Sequence, residues 1–67
     1  MLYRTYVDGF SGHFSTVAEL QSWIDDLRAR YNLNGHTIKI WKAIWVAADG
    51  SGAEYRSTPN REIVVGA

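Results

Sequence analysis

The tetrad Thr16-Val17-Ala18-Glu19 constrains this chain more than any other feature. It is a capping box, in which the Thr16 hydroxyl accepts from the Glu19 amide and the Glu19 carboxylate reaches back to the Thr16 amide. A helix therefore starts here. Val17, Leu20, Ile24, Leu27 and Tyr31 follow at steps of three and four, which places them on one helical face with Trp23 at its flank. Glu19, Asp25, Asp26, Arg28 and Arg30 lie on or beside the wet face, acids early and arginines late, as the helix dipole favours. The spacing predicts a helix from Val17 to Tyr31, ended by Asn32 or by Asn34-Gly35, residues that tolerate left-handed backbone. A single apolar stripe has to be buried against something, and the rest of the chain offers strands.

Leu2 to Val7 is rich in Tyr, Thr and Val and reads as a strand. Asp8-Gly9 supplies a tight hairpin turn, and Phe10 to Phe14 reads as a short return strand weakened by Gly12. After the helix, His36 to Ala47 is the second long strand, with Ile38, Ile40, Ile44 and Val46 on one parity and Lys42 interrupting. Thr37, Lys39, Trp41, Ala43, Trp45 and Ala47 hold the other parity. Ala48 to Gly52 is a turn by composition, and Ala53 to Ser57 returns. Pro59-Asn60 breaks the chain before a terminal strand, Glu62-Ile63-Val64-Val65. The expected fold is α+β: a small antiparallel sheet of three to five strands with one amphipathic helix packed on one face, in the order β(β)-α-β-β(-β).

The chain has 67 residues and opens on Met1, so it is expected to be a free-standing product and one domain over residues 1–67. Such a length buries only about 60% of the surface its unfolded form exposes. There is no cysteine, so apolar packing alone must hold the fold; apolar residues make up 46% of the chain. Seven Lys and Arg balance seven Asp and Glu, which gives no net pull toward nucleic acid or anionic membrane and little repulsion between copies. No membrane span, signal peptide or lipidation sequence is recognised, and a cytoplasmic protein is expected.

Chemistry is sparsely represented. His13 and His36 are separated by the whole helix and have no cysteine to join them, so neither a metal nor a cofactor is expected. In Gly9-Phe10-Ser11-Gly12 the serine stands one place too early for a nucleophile elbow. Asp25 and Asp26 diverge by about 100° on the helix and make no acid–base pair. Asp49 to Glu54 is too short and too poor in acids for a calcium loop, and Gly50-Ser51-Gly52 lacks the Lys-Ser/Thr and helix of a phosphate cradle. No catalytic residue is assigned.

The sheet carries the functional expectation. If Ile38, Ile40, Ile44 and Val46 face the helix, Trp41 and Trp45 point the other way, and Tyr6 and Tyr55 join them according to register. If a bulge near Lys42 switches the parity, the buried set changes but large apolar side chains still remain outside. Contiguous exposed Trp and Tyr mark binding surfaces and dominate their energetics. The competing account buries Trp41 or Trp45 within the chain as ordinary core. A non-enzymatic protein-binding module is the leading reading, acting through Trp41, Trp45, Tyr6 and Tyr55 with Lys39 and Arg4 beside them, on another protein or on a second copy. A short Trp-rich chain also suits a phage or mobile-element product that inhibits a host protein.

The alternative is a nucleic-acid-binding module, with Arg4, Lys39, Lys42, Arg56 and Arg61 on or beside the strands and aromatics available for base stacking. The eleven residues Phe14-Ser15-Thr16-Val17-Ala18-Glu19-Leu20-Gln21-Ser22-Trp23-Ile24 resemble the strand-to-helix transition of the arm-site DNA-binding domains of tyrosine recombinases, which implies DNA as partner. In that family the sheet precedes the helix, whereas here the better strands follow it.

Overall fold

A computed structural model describes residues 2–66. Asp8 and Gly9 both take positive φ, at 47° and 84°, the pair that a two-residue hairpin turn demands. They join β1 (Tyr3–Val7) to β2 (Phe10–Phe14), closing with Val7 opposite Phe10. Helix α1 (Val17–Arg30) then crosses over this hairpin. Four further strands follow: β3 (Thr37–Lys42), β4 (Trp45–Val46), β5 (Ala53–Glu54) and β6 (Arg61–Val64). The main sheet is antiparallel throughout, in the order β2-β1-β3-β6, while β4 and β5 form a separate two-stranded ribbon. The fold is α+β, one helix against an antiparallel sheet.

The helix begins where its capping box places it. Thr16 is extended, and its hydroxyl accepts from the Glu19 amide at 3.2 Å. Its end differs from expectation: Tyr31, in extended backbone, closes the last turn by donating its amide to the Leu27 carbonyl at 2.8 Å. The asparagines act just beyond. Asn32 Oδ1 accepts from the Asn34 amide at 3.0 Å, and Gly35 turns the chain with φ 85°. From there Gly35 donates to the Val65 carbonyl and Val65 donates to His36, which ties this loop to the end of β6.

Leu20, Ile24 and Leu27 are buried, and with Val7, Leu33, Ile38 and Val65 they form the core. Val17 and Tyr31, at the two ends of the stripe, remain mostly exposed. Strand β2 grips the helix with aromatic rings. Phe10 stacks at a tilt on Tyr31 at 4.9 Å between centroids, and Phe14 on Trp23 at 5.5 Å. Gly12 lies between these two phenylalanines on the same face, and a Cβ there would meet the Phe14 ring at 2.7 Å. The residue that weakens the strand by propensity is therefore required by its packing.

The second long strand is not continuous. The run expected from His36 to Ala47 stops at Lys42 and resumes as β4 in a different sheet. Ile38 is buried and Ile40 half-buried as their parity requires, but Ile44 and Val46, expected beneath the helix, are exposed. The return strand expected over Ala53–Ser57 is the two-residue β5. The physical cause is Asn60. Its amide donates to the Ile40 carbonyl at 2.9 Å, and its side-chain Oδ1 accepts from the Lys42 amide at 2.9 Å, taking the place of a backbone carbonyl. Pro59, with no N–H, cannot extend the ladder.

Two substitutions test the core. Ile24→Ala should lose about 2–5 kcal/mol in denaturant unfolding, whereas Thr16→Ala should lose about 0.5–2 kcal/mol by removing the cap. Thr5 is wholly buried on the helix side of β1, and its hydroxyl has no hydrogen-bond partner among the described residues. Thr5→Val should therefore raise stability by about 1 kcal/mol, the cost of an unpaired buried hydroxyl, read as a higher urea midpoint at unchanged slope.

Candidate functional site

Strand alternation and register assemble the sheet face opposite the helix. On that face Arg4 of β1 lies between His13 of β2 and Trp41 of β3, and Tyr6 lies between Ser11 and Lys39. Lys39 in turn faces Glu62 of β6. Four of the six residues singled out in the sequence, Arg4, Tyr6, Lys39 and Trp41, thus meet on one surface. Tyr55 reaches the same surface from beyond β5, with its ring 6.3 Å from that of His13. The sixth, Trp45, is elsewhere, because the break after Lys42 puts it on the ribbon.

Much of this aromatic surface is already engaged within the chain. The Arg4 guanidinium lies 5.2 Å from the Trp41 ring centroid, a cation–π contact. Tyr55 is half-buried, and its hydroxyl is buried without a hydrogen-bond partner among the described residues. Trp41 is half-buried as well. Of the Tyr and Trp side chains on this face, Tyr6 alone is exposed.

The ribbon presents the opposite picture. Ile44 donates to the Glu54 carbonyl and Ala47 to that of Gly52, both at 2.8 Å, and a turn containing Gly50 at φ 74° closes the end. Along this short ladder Ile44, Trp45 and Val46 are 68%, 57% and 40% exposed, three apolar side chains in a row. Trp45 sits opposite Glu54. Between Ala43 and Glu54 the only charged residues are Asp49 and Glu54, so the element is apolar and acidic. The Ser51 hydroxyl, and then the Ser51 amide, hydrogen-bond the Asp49 carboxylate and hold its pKa below the ordinary 3.8; the amide contact is 2.9 Å.

A third feature lies on the helix side. Helix α1 lies over β1 and β2 and only partly covers the β3–β6 half of the sheet, where Ile38 is buried and Ile40 half-buried. There, a cleft of about 220 Å³ has an apolar floor of Tyr3, Val17, Leu20 and Ile40. Its remaining lining is Lys42, Asn60 and Arg61, with no acid. Register explains the cations: Lys42 is opposite Tyr3 and Arg61 opposite Ile40, so both occupy helix-facing parity at the open rim of the cleft, where both are exposed. Neither belongs to an ion pair among the described residues, where the pairs are Arg30 with Asp26 and His36 with Asp8. The sequence reading missed the cleft, although its one visible trace, Lys42 interrupting an apolar alternation, was legible.

Among the described residues no three His, Asp or Glu side chains gather to hold a metal ion, and no helix is long and apolar enough to cross a membrane. Comparison with known protein families, with curated proteins and with solved structures returns no match.

The Asp49 turn makes a pH prediction. A carboxyl whose folded pKa is depressed supports the fold fully above its unfolded value and loses that support as pH falls through the lower folded value. The ribbon turn should therefore hold at pH 5 and loosen only below about 3.8. NMR titration should show the Ser51 amide following the Asp49 carboxylate with a midpoint below that value.

Proposed function

We propose that this chain is a small non-enzymatic protein-binding module whose contact element is the β4–β5 ribbon, with Trp45 as its anchor. One observation carries the reading: three consecutive large apolar side chains stand exposed on an ordered ribbon whose only charges are acidic. Apolar exposure on both faces of so short a ribbon leaves Trp45 free on one of them, and Trp is the residue most enriched among binding hot spots. The outer sheet face, with Tyr6, Arg4, Lys39, Trp41 and Tyr55, is the secondary part of the contact surface. A cytoplasmic setting fits a fold that needs no disulfide.

Nucleic-acid binding is the weaker account for two physical reasons. Stacking on a base needs a free ring face, and Trp41 is already covered by Arg4 while Tyr55 lies against His13. Phosphate affinity needs a surplus of cations, and here seven Lys and Arg are balanced by seven Asp and Glu.

Trp45→Ala is the decisive variant. Its side chain supports little of the fold, so the thermal midpoint should hold, while affinity for a protein partner should fall about thirtyfold, the equivalent of about 2 kcal/mol. Partners crosslinked from position 45 and then titrated as pure components provide that reading. The proposal is overturned if mixed-sequence oligonucleotides bind with steep salt dependence, if that binding survives Trp45→Ala, and if it is lost in Arg4→Ala and Lys39→Ala.

A further inference from the structure

We infer that the partner of the ribbon is a second copy of this chain, and that the ribbon of each copy docks into the helix-side cleft of the other. The inference rests on the reading of the ribbon as the contact element and adds its occupant.

The two surfaces complement each other in shape and charge. The ribbon offers an indole with a carboxylate directly across the ladder, Trp45 and Glu54. The cleft offers an apolar floor of Tyr3, Val17, Leu20 and Ile40 edged by Lys42 and Arg61, cations with no ion-pair partner among the described residues. A dry cavity of about 150 Å³ accepts a benzene ring, so a cleft of about 220 Å³ accommodates an indole. Seating Trp45 there would bring Glu54 to the cationic edge, where a desolvated pair gains strength from the lower dielectric. Zero net charge on the chain removes the general repulsion that would oppose such pairing.

Topology also closes the assembly. Lys42 immediately precedes the excursion that carries the ribbon, and Asn60 and Arg61 immediately follow it, so the cleft lies at the root of the ribbon. When a donor element and its acceptor site are neighbours, reciprocal exchange about a two-fold axis satisfies both copies at once. The product is a closed dimer rather than an open chain of copies.

Sedimentation and light scattering from micromolar to millimolar protein test this directly. The expected mass rises from 7.6 kDa to twice that value. Trp45→Ala should weaken the dimer about thirtyfold. Lys42→Glu and Glu54→Lys should each weaken it by about tenfold or more, and the double variant carrying both should recover most of the loss, because it restores the intermolecular pair with its signs exchanged. Circular dichroism of dilute protein, with an unchanged midpoint in each variant, separates dissociation from unfolding. A chain that stays monomeric at millimolar concentration overturns the inference, and the protein-binding reading then survives only if Trp45-dependent affinity for another protein is measured. A dimer indifferent to Trp45→Ala overturns both. A dimer that needs Trp45 but ignores the charge exchange overturns the cleft as its seat and leaves the ribbon as contact element.

Discussion

At Lys42 the backbone amide donates to a side chain, Asn60 Oδ1, where the next ladder bond of an antiparallel sheet would use a carbonyl. With Pro59 unable to donate and Asn60 also bonded to Ile40, the β3–β6 ladder ends in a sealed stop with no frayed edge. The chain between these points has to leave the sheet plane. Ile44 then finds its partner in Glu54, in a pairing two residues out of step with β3 and β6, and the ribbon forms as an independent piece. The exposure of Trp45 and the position of the cleft both follow from that stop.

The second determinant is width. A helix is about 10 Å across and strands are about 4.8 Å apart, so one helix shelters roughly two strands. Here the sheet has four. The aromatic pairs Phe10–Tyr31 and Phe14–Trp23 fix the helix over the β1–β2 half, which seals that side with large rings. The far half is closed only at one end, where Leu33 and Val65 pack with Ile38 in the core. Toward the N-terminal end of α1 Ile40 is only half-buried, and that is where the cleft opens.

What the sequence revealed divides along the same line between local and non-local causes. The helix was legible because its cap and its stripe are written within a few residues: Thr16 to Glu19 for the start, and Leu20, Ile24 and Leu27 for the buried face. The Asp8-Gly9 turn was legible for the same reason. The end of β3 was not, because the group that ends it is Asn60, eighteen residues further on. Read as one strand, the segment put Trp41 and Trp45 on a shared face and Ile44 and Val46 in the core. With the break in place, Trp41 joins Arg4 on the outer face while Ile44, Trp45 and Val46 leave the sheet together. The cleft depends on the register of three strands, and no window of sequence contains it.

Stability gives the exposed ribbon a further meaning. Two paired residues on each side, with a turn held by Asp49 and Ser51, make a hairpin that would be marginal alone. Its apolar side chains gain nothing from water, and the core of so short a chain has little surplus to lend. An element of this kind is stabilised when its apolar side chains are covered, and a partner that binds only the ordered ribbon shifts the equilibrium toward order by mass action. The proposed reciprocal exchange would make this coupling symmetric. Each ribbon, on docking through Trp45, would also fill the cleft beside the other copy's helix, so that the exposed indole and the apolar cleft floor would be covered in a single step.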